Sequence, residues 1–195
     1  MKAVLMSIKP QWCEKIASGE KVFELRKTFP NIKTLNVSFP VYIYCTQEKR
    51  LLHKFNKGEC IDDEHFFEED VFVRQNTWIR GHLNPNGKVI GEFVCDYVQG
   101  VYPTGLFVGD DRLTVCGNED MPLDKYCLTE EQVRAYIGDK KAYGWHISDL
   151  VIYNKPKELS DFKHCGVNYH YNPPITRPPQ SWCYVEEMTE GHRET

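Results

Sequence analysis

Cations, a carboxylate and an aromatic ring lie close together near the start of the chain. Lys21, Glu24 and Arg26 follow Gly19 in the order G-x-K-x-x-E-x-R. An arginine beside a carboxylate is held in a fixed orientation, from which its guanidinium can bind a phosphate or a base edge. Cations next to an aromatic ring are typical of sites that bind phosphate and nucleobase together. The candidate nucleic-acid-binding residues are Lys9, Trp12, Lys21, Glu24, Arg26, Lys27 and Trp145.

The segment that carries these residues has the signals of a helix followed by a strand. Its apolar spacing predicts a helix over Pro10–Ser18, and Gly19 favours the left-handed conformation that ends a helix. Hydrophobic and charged residues then alternate, so that Glu24 and Arg26 face water, a cleft or each other. Because Lys21 lies off this strand face, we expect its side chain to reach the cleft from the turn.

The signature resembles that of the ASCH domain family, which has G-x-K-x-x-E-x-R at this place, and SIKPQW before it is also similar. The resemblance is to bacterial or phage-type members. It implies an α+β fold, a PUA-like, mostly antiparallel β-barrel with peripheral helices, and a role in binding RNA or acting on it. One subgroup hydrolyses N4-acetylcytidine with a lysine and a threonine of this motif. Glu24 stands where that subgroup has threonine, so a threonine-nucleophile mechanism does not carry over.

Three functions remain open from the residues. The favoured one is a nucleic-acid-binding domain, RNA preferred, that recognises a single-stranded or modified nucleotide. The second is a hydrolase of a modified nucleoside or an RNA phosphodiester, with Lys21 and Glu24 as catalytic acid and base. The third is a protein-interaction module whose acidic residues 59–70 meet a basic partner.

Length and charge predict one domain with a localised anion site. The 195 residues, 41% of them hydrophobic, suit a single ASCH-like domain over 1–187, with an insertion at 47–84 and a frayed tail at 188–195. A net charge of −4 argues against a protein that coats duplex DNA. Residues 1–33, however, hold seven Lys or Arg against three acids. This asymmetry can steer an anionic ligand to one face.

The cysteines, histidines and apolar runs predict a cytoplasmic protein without metal or cofactor. Cys45 and Cys95 lie in strand-like runs, where a free thiol packs as a small hydrophobe. The start of the chain lacks a signal-peptide pattern, and its apolar runs are too short to span a membrane. The spacing of the C-terminal cysteines and histidines does not match a zinc finger. These residues are His164, Cys165, His170 and Cys183.

The remaining elements follow from periodicity and turn signals. Strands are predicted at 2–8, 40–46, 88–98 and 181–187, a strand pair or one long strand at 142–153, and an edge strand at 113–116. Gly91 is predicted to mark a bulge or a corner of the barrel. Thr129 and Gln132 form a capping box for a helix that ends at Gly138 and turns Val133, Tyr136 and Ile137 inward. The sequence EKRLLHKF in the insertion favours a helical turn.

Trp145 and the proline-rich segment before the last strand are two further candidates for contact with a ligand. Trp145 either stacks on a nucleobase or fills the core. The segment from Arg177 to Trp182 either forms a rigid arm that offers Arg177 and Gln180 to the ligand, or packs as an ordered tail.

Overall fold

A computed structural model of the protein describes residues 2–30, 38–62, 65–75, 83–103, 113–116, 123–166 and 171–188. Within these ranges the helices are α1 (Pro10–Ala17) and α2 (Glu130–Ile137). The strands are β1 (Lys2–Ile8), β2 (Phe23–Arg26), β3 (Phe39–Cys45), β4 (Leu51–Phe55), β5 (Cys60–Asp62), β6 (His65–Phe66), β7 (Val71–Gln75), β8 (Val89–Cys95), β9 (Val98–Pro103), β10 (Leu113–Cys116), β11 (Ala142–His146), β12 (Ser148–Lys157) and β13 (Trp182–Glu186).

Two larger sheets organise these strands. One has the order β12-β8-β3-β1-β13 and the other the order β10-β9-β11-β2. Strands β1 and β3 are parallel, and the connection between them contains α1 and β2; the other pairs in both sheets are antiparallel. The α+β prediction is confirmed. The described strands are hydrogen-bonded as separate sheets and do not close into one barrel.

Alternate residues of β1 and β3 enter different parts of the core. Val4 and Met6 pack with α1 and Trp145, whereas Ala3 and Leu5 pack with Tyr42 on the other face of the sheet. Both faces of this sheet are therefore covered, which explains the continuous apolar runs in its central strands. The four-stranded sheet is covered on one face by α2.

The helical turn predicted for EKRLLHKF is wrong. Leu51–Phe55 forms β4, which pairs antiparallel with β7 about twenty residues later. This ribbon packs against α1, where Arg74 Nε donates a hydrogen bond of 2.7 Å to Glu14 Oε2. A distant partner strand satisfies the backbone here, so local helical spacing did not determine the structure.

The other local signals correspond closely to the structure. Gly19 has a φ of +76° and follows α1. The ladder between β3 and β8 shifts its register between Ile43 and Tyr44, next to Gly91, as the predicted bulge requires. The 142–153 segment is two strands, β11 and β12, and Pro156 lies inside β12, whose end at Lys157 is later than predicted.

The capping box at α2 is confirmed, and its loss should have a measurable cost. Thr129 Oγ1 accepts a hydrogen bond of 3.2 Å from Gln132 N, and Gln132 Oε1 accepts one of 2.9 Å from Thr129 N. We expect Thr129→Ala to lower the free energy of unfolding by about 1 kcal/mol, because the main-chain N–H of Gln132 loses its acceptor. Urea unfolding measures this change. The control is Ser160→Ala, an exposed residue outside any long helix, and an equal loss in both variants would contradict the role of the cap.

Candidate functional site

Strand β2 carries the charged motif at the edge of the four-stranded sheet. It pairs with β11 so that Glu24 lies opposite Trp145 and Arg26 lies opposite Tyr143. Residues directly opposite in a ladder share a face, so the two charged side chains lie on the same side as these aromatic rings. Phe23 and Leu25 point to the other side and are buried beneath α2, as the alternation predicts.

Lys21, Glu24 and Arg26 form a buried ionic network. Glu24 Oε1 lies 2.9 Å from Arg26 Nη2, and Glu24 Oε2 lies 3.4 Å from Lys21 Nζ. The three side chains are only 1%, 8% and 10% exposed for Lys21, Glu24 and Arg26. The Glu24 carboxylate therefore lies between the Lys21 ammonium group and the Arg26 guanidinium group, and the formal charges of the three side chains sum to +1.

The two cations are also bound to the main chain. Lys21 Nζ donates a hydrogen bond of 2.6 Å to Tyr126 O, and Arg26 Nη2 donates one of 2.7 Å to Ser7 O. Arg26 retains capacity for a ligand, because its Nη1 reaches Ser181 Oγ only at 3.4 Å. Its buried Nε donates no hydrogen bond within the described part of the chain. The network thus orients Arg26 without saturating it.

A cleft of about 650 Å³ opens over this network. Its walls come from α1, β2, α2 and the segment just before β13. The charged lining residues are four cations and one carboxylate, so the cleft is electropositive in a chain of net charge −4. The lining residues are Ser7, Lys9, Gln11, Trp12, Lys21, Glu24, Leu25, Arg26, Lys27, Thr28, Thr46, Leu128, Gln132, Tyr136, Gln180 and Ser181.

Six of the seven candidate residues line this cleft, and Trp145 does not. The Trp145 ring is 0% exposed and contacts the rings of Phe39 and Trp182 in the core between the sheets. Stacking of a base on Trp145 is therefore a wrong prediction, because no ring surface is accessible. The six in the cleft are Lys9, Trp12, Lys21, Glu24, Arg26 and Lys27.

Helix α2 supplies a wall of the cleft that the sequence interpretation missed. Gln132 and Tyr136, one turn apart, both line it, and Tyr136 is 39% exposed rather than turned inward as predicted. Val133 and Ile137 do face the core. The spacing of Gln132 and Tyr136 along one face was a usable signal, but nothing local indicated that this face borders the motif.

The proline-rich segment before β13 forms another wall of the cleft. Gln180 lines the cleft as predicted, whereas Arg177 is exposed and lies outside its lining. Ser7 Oγ donates a hydrogen bond of 2.6 Å to Pro179 O, and Ser7 N donates one of 2.9 Å to Ser181 O. These bonds attach the segment to β1, so it is packed and ordered, the second of the two predicted alternatives, and it also forms a wall of the cleft.

No group of three or more potential metal ligands occurs among the described residues, and His170 lies outside them. The cysteines that the structure describes with their side chains are free thiols. Burial raises the pKa of the Cys95 thiol to about 12, which keeps it protonated at neutral pH. Within the described ranges, no helix is both long and apolar enough to cross a membrane.

Neither a family model nor a curated protein sequence matches the chain. Solved structures do match. The crystal structure of ASCH from Zymomonas mobilis is 17% identical and has a TM-score of 0.52, covering 95% of this chain and 88% of its own. The crystal structure of a mutant of that same protein is 17% identical with a TM-score of 0.51, covering 96% and 92%. The described part of the chain therefore shares the α+β fold of these two structures, which is the fold that the resemblance of the motif predicts.

Proposed function

We propose that the protein is an ASCH-type nucleic-acid-binding protein that recognises a single-stranded or modified nucleotide, RNA preferred, in the cleft over β2. The observation that carries this proposal is the convergence of four cations and an accessible indole around one carboxylate in a single cleft. Lysine and arginine at these positions attract phosphate, and an indole at the wall offers a surface for a base. We also propose a cytoplasmic location, where the free thiols would stay reduced.

The volume of the cleft favours one or two nucleotides over a duplex. About 650 Å³ lies within the ordinary range for small-ligand pockets. A duplex is contacted over a long surface by many cations, whereas this chain concentrates four of them in one cleft. In this proposal Arg26 and Lys21 bind the phosphate or base at the floor, and Glu24 orients Arg26. Lys9 and Lys27 are exposed at the rim and add the salt-sensitive part of the binding.

Affinity for a labelled single-stranded hexaribonucleotide tests this function. We expect Arg26→Lys to weaken binding at least tenfold, because lysine can pair with Glu24 but cannot reproduce a forked contact. Lys9→Gln should weaken binding and reduce the slope of log K against log salt by about 0.7. The control is Lys49→Gln, an exposed lysine outside the cleft. Equal binding by the two cleft variants and this control would contradict a nucleic-acid site here.

One observation also favours a second function, a hydrolase. Lys21 and Glu24 lie 3.4 Å apart at the floor of the cleft, close enough to share a proton-transfer role. The substrate would be a modified nucleoside with an amide on its base, such as N4-acetylcytidine, or an RNA phosphodiester. Product formation by the wild type that Lys21→Met abolishes would establish it. Binding without product formation would contradict the hydrolase and support only the binding function.

A further inference from the structure

Two lysines of the cleft lie over aromatic rings, but they are held very differently. Lys21 Nζ is 5.0 Å from the centroid of the Trp12 ring, and Lys27 Nζ is 4.9 Å from that of the Tyr136 ring. Lys21 is buried, paired with Glu24 and hydrogen-bonded to the main chain, so it cannot leave its place. Lys27 is exposed, and its long side chain can turn away from the ring at little cost.

The Tyr136 ring is positioned as a surface for a ligand. It lies on α2 and lines the same cleft, with 39% of the residue exposed although its neighbours Val133 and Ile137 are in the core. Burial raises the pKa of the Tyr136 hydroxyl; the charge of Arg26 lowers it less strongly, the Glu24 carboxylate raises it, and the main chain of Lys27 lowers it. The hydroxyl end therefore lies near the charged motif, and the ring face lies next to the exposed Lys27 ammonium group.

We infer that Tyr136 is the stacking platform for a nucleobase and that Lys27 moves from this ring to the adjacent phosphate when the nucleotide binds. This inference rests on the proposed nucleic-acid function, and it adds Tyr136 on α2 as a second wall of the binding site. A nucleobase has a π face that can stack on the ring, which an ammonium group lacks, and a phosphate is a stronger partner for lysine than an aromatic ring. Binding therefore exchanges one weak contact for two stronger ones. Tyr136 thus adds a second aromatic surface to that of Trp12, whose lysine, Lys21, is fixed by its own partners.

Binding of fluorescein-labelled hexauridylate to the full chain tests this exchange. Tyr136→Leu removes the ring and should weaken binding about tenfold without changing the salt slope, since no phosphate contact is lost. Tyr136→Phe keeps the ring and should bind within about twofold of the wild type. Lys27→Gln should lower the salt slope by about 0.7. Inorganic polyphosphate, which has no base, should bind equally to the wild type and Tyr136→Leu.

The possible outcomes distinguish failure of this inference from failure of the proposed function. If Tyr136→Leu binds hexauridylate like the wild type while Arg26→Lys is impaired, the cleft binds RNA and Tyr136 is not a platform. If Tyr136→Leu weakens polyphosphate and hexauridylate equally, the residue acts through the fold of α2, and the inference fails. If the wild type binds neither RNA nor polyphosphate, both proposals fail. Tyr136→Gln provides a second variant without the ring should the leucine variant not fold.

Discussion

Glu24→Gln is expected to lower the free energy of unfolding by about 3–5 kcal/mol, the cost typical of removing one partner from a buried ionic network. The carboxylate lies between Lys21 and Arg26, and all three side chains are almost completely buried. The amide of glutamine is the same size but neutral, so two cations would remain in a site with little access to water. Urea unfolding at neutral pH measures the loss.

Two companion variants identify the cause of this loss. Glu20→Gln removes an exposed carboxylate that pairs with Lys15, and should leave stability nearly unchanged. Lys21→Met combined with Glu24→Gln should be more stable than Glu24→Gln alone, because one unpaired buried cation is gone. A loss in Glu24→Gln no larger than in Glu20→Gln would show that the network does not stabilise the fold. If the double variant is no more stable than Glu24→Gln alone, the shape of the side chain at position 24 is responsible for the loss, and the unpaired buried charge is not.

Gly91→Ala should destabilise the protein by about 2–3 kcal/mol, toward the upper end of the effect of overpacking. A Cβ at Gly91 would overlap the main-chain oxygen of Val151 and lie 3.2 Å from Ile152 Cα in the adjacent strand β12. Main-chain atoms inside a ladder cannot move aside as the end of a side chain can. The strand pair β8–β12 would have to separate locally, which thermal or urea unfolding would detect.

Gly100→Ala is the matched control for the glycine in β8. A Cβ at Gly100 would lie 2.7 Å from Tyr102 Cε2, the ring of a half-buried side chain that can rotate. We expect this variant to lose less than about 1 kcal/mol, because rotation relieves the contact and alanine restricts the unfolded chain. If both glycine variants lost the same stability, the cause would be strand flexibility rather than the close approach to Val151.

The comparison of Trp12 with Trp145 shows how far a residue pattern can predict a site. Both rings lie near the charged motif, and Trp145 is even directly opposite Glu24 in the ladder. Trp12 nevertheless lines the cleft, while Trp145 is enclosed by Phe39 and Trp182. Strand alternation specifies the face of a side chain but not its depth, and depth depends on which distant elements cover that face.

The G-x-K-x-x-E-x-R stretch was predictable because its signals are short-range. The glycine stop, the strand alternation and the proximity of Lys21, Glu24 and Arg26 all follow from a few neighbouring residues. The same holds for the Thr129 capping box. Such features depend on local backbone geometry and therefore appear in the sequence before any folding is considered.

The enclosure of the motif depends instead on residues far away in the chain. Tyr126 O binds Lys21, Ser181 Oγ faces Arg26, and Tyr136 completes the cleft from α2. These groups reach the motif only when β2 pairs with β11 and β13 pairs with β1. Sheet pairing between distant segments leaves no local periodic signal. An exposed-looking charge pair on one strand thus becomes a buried, oriented network at the floor of a cleft.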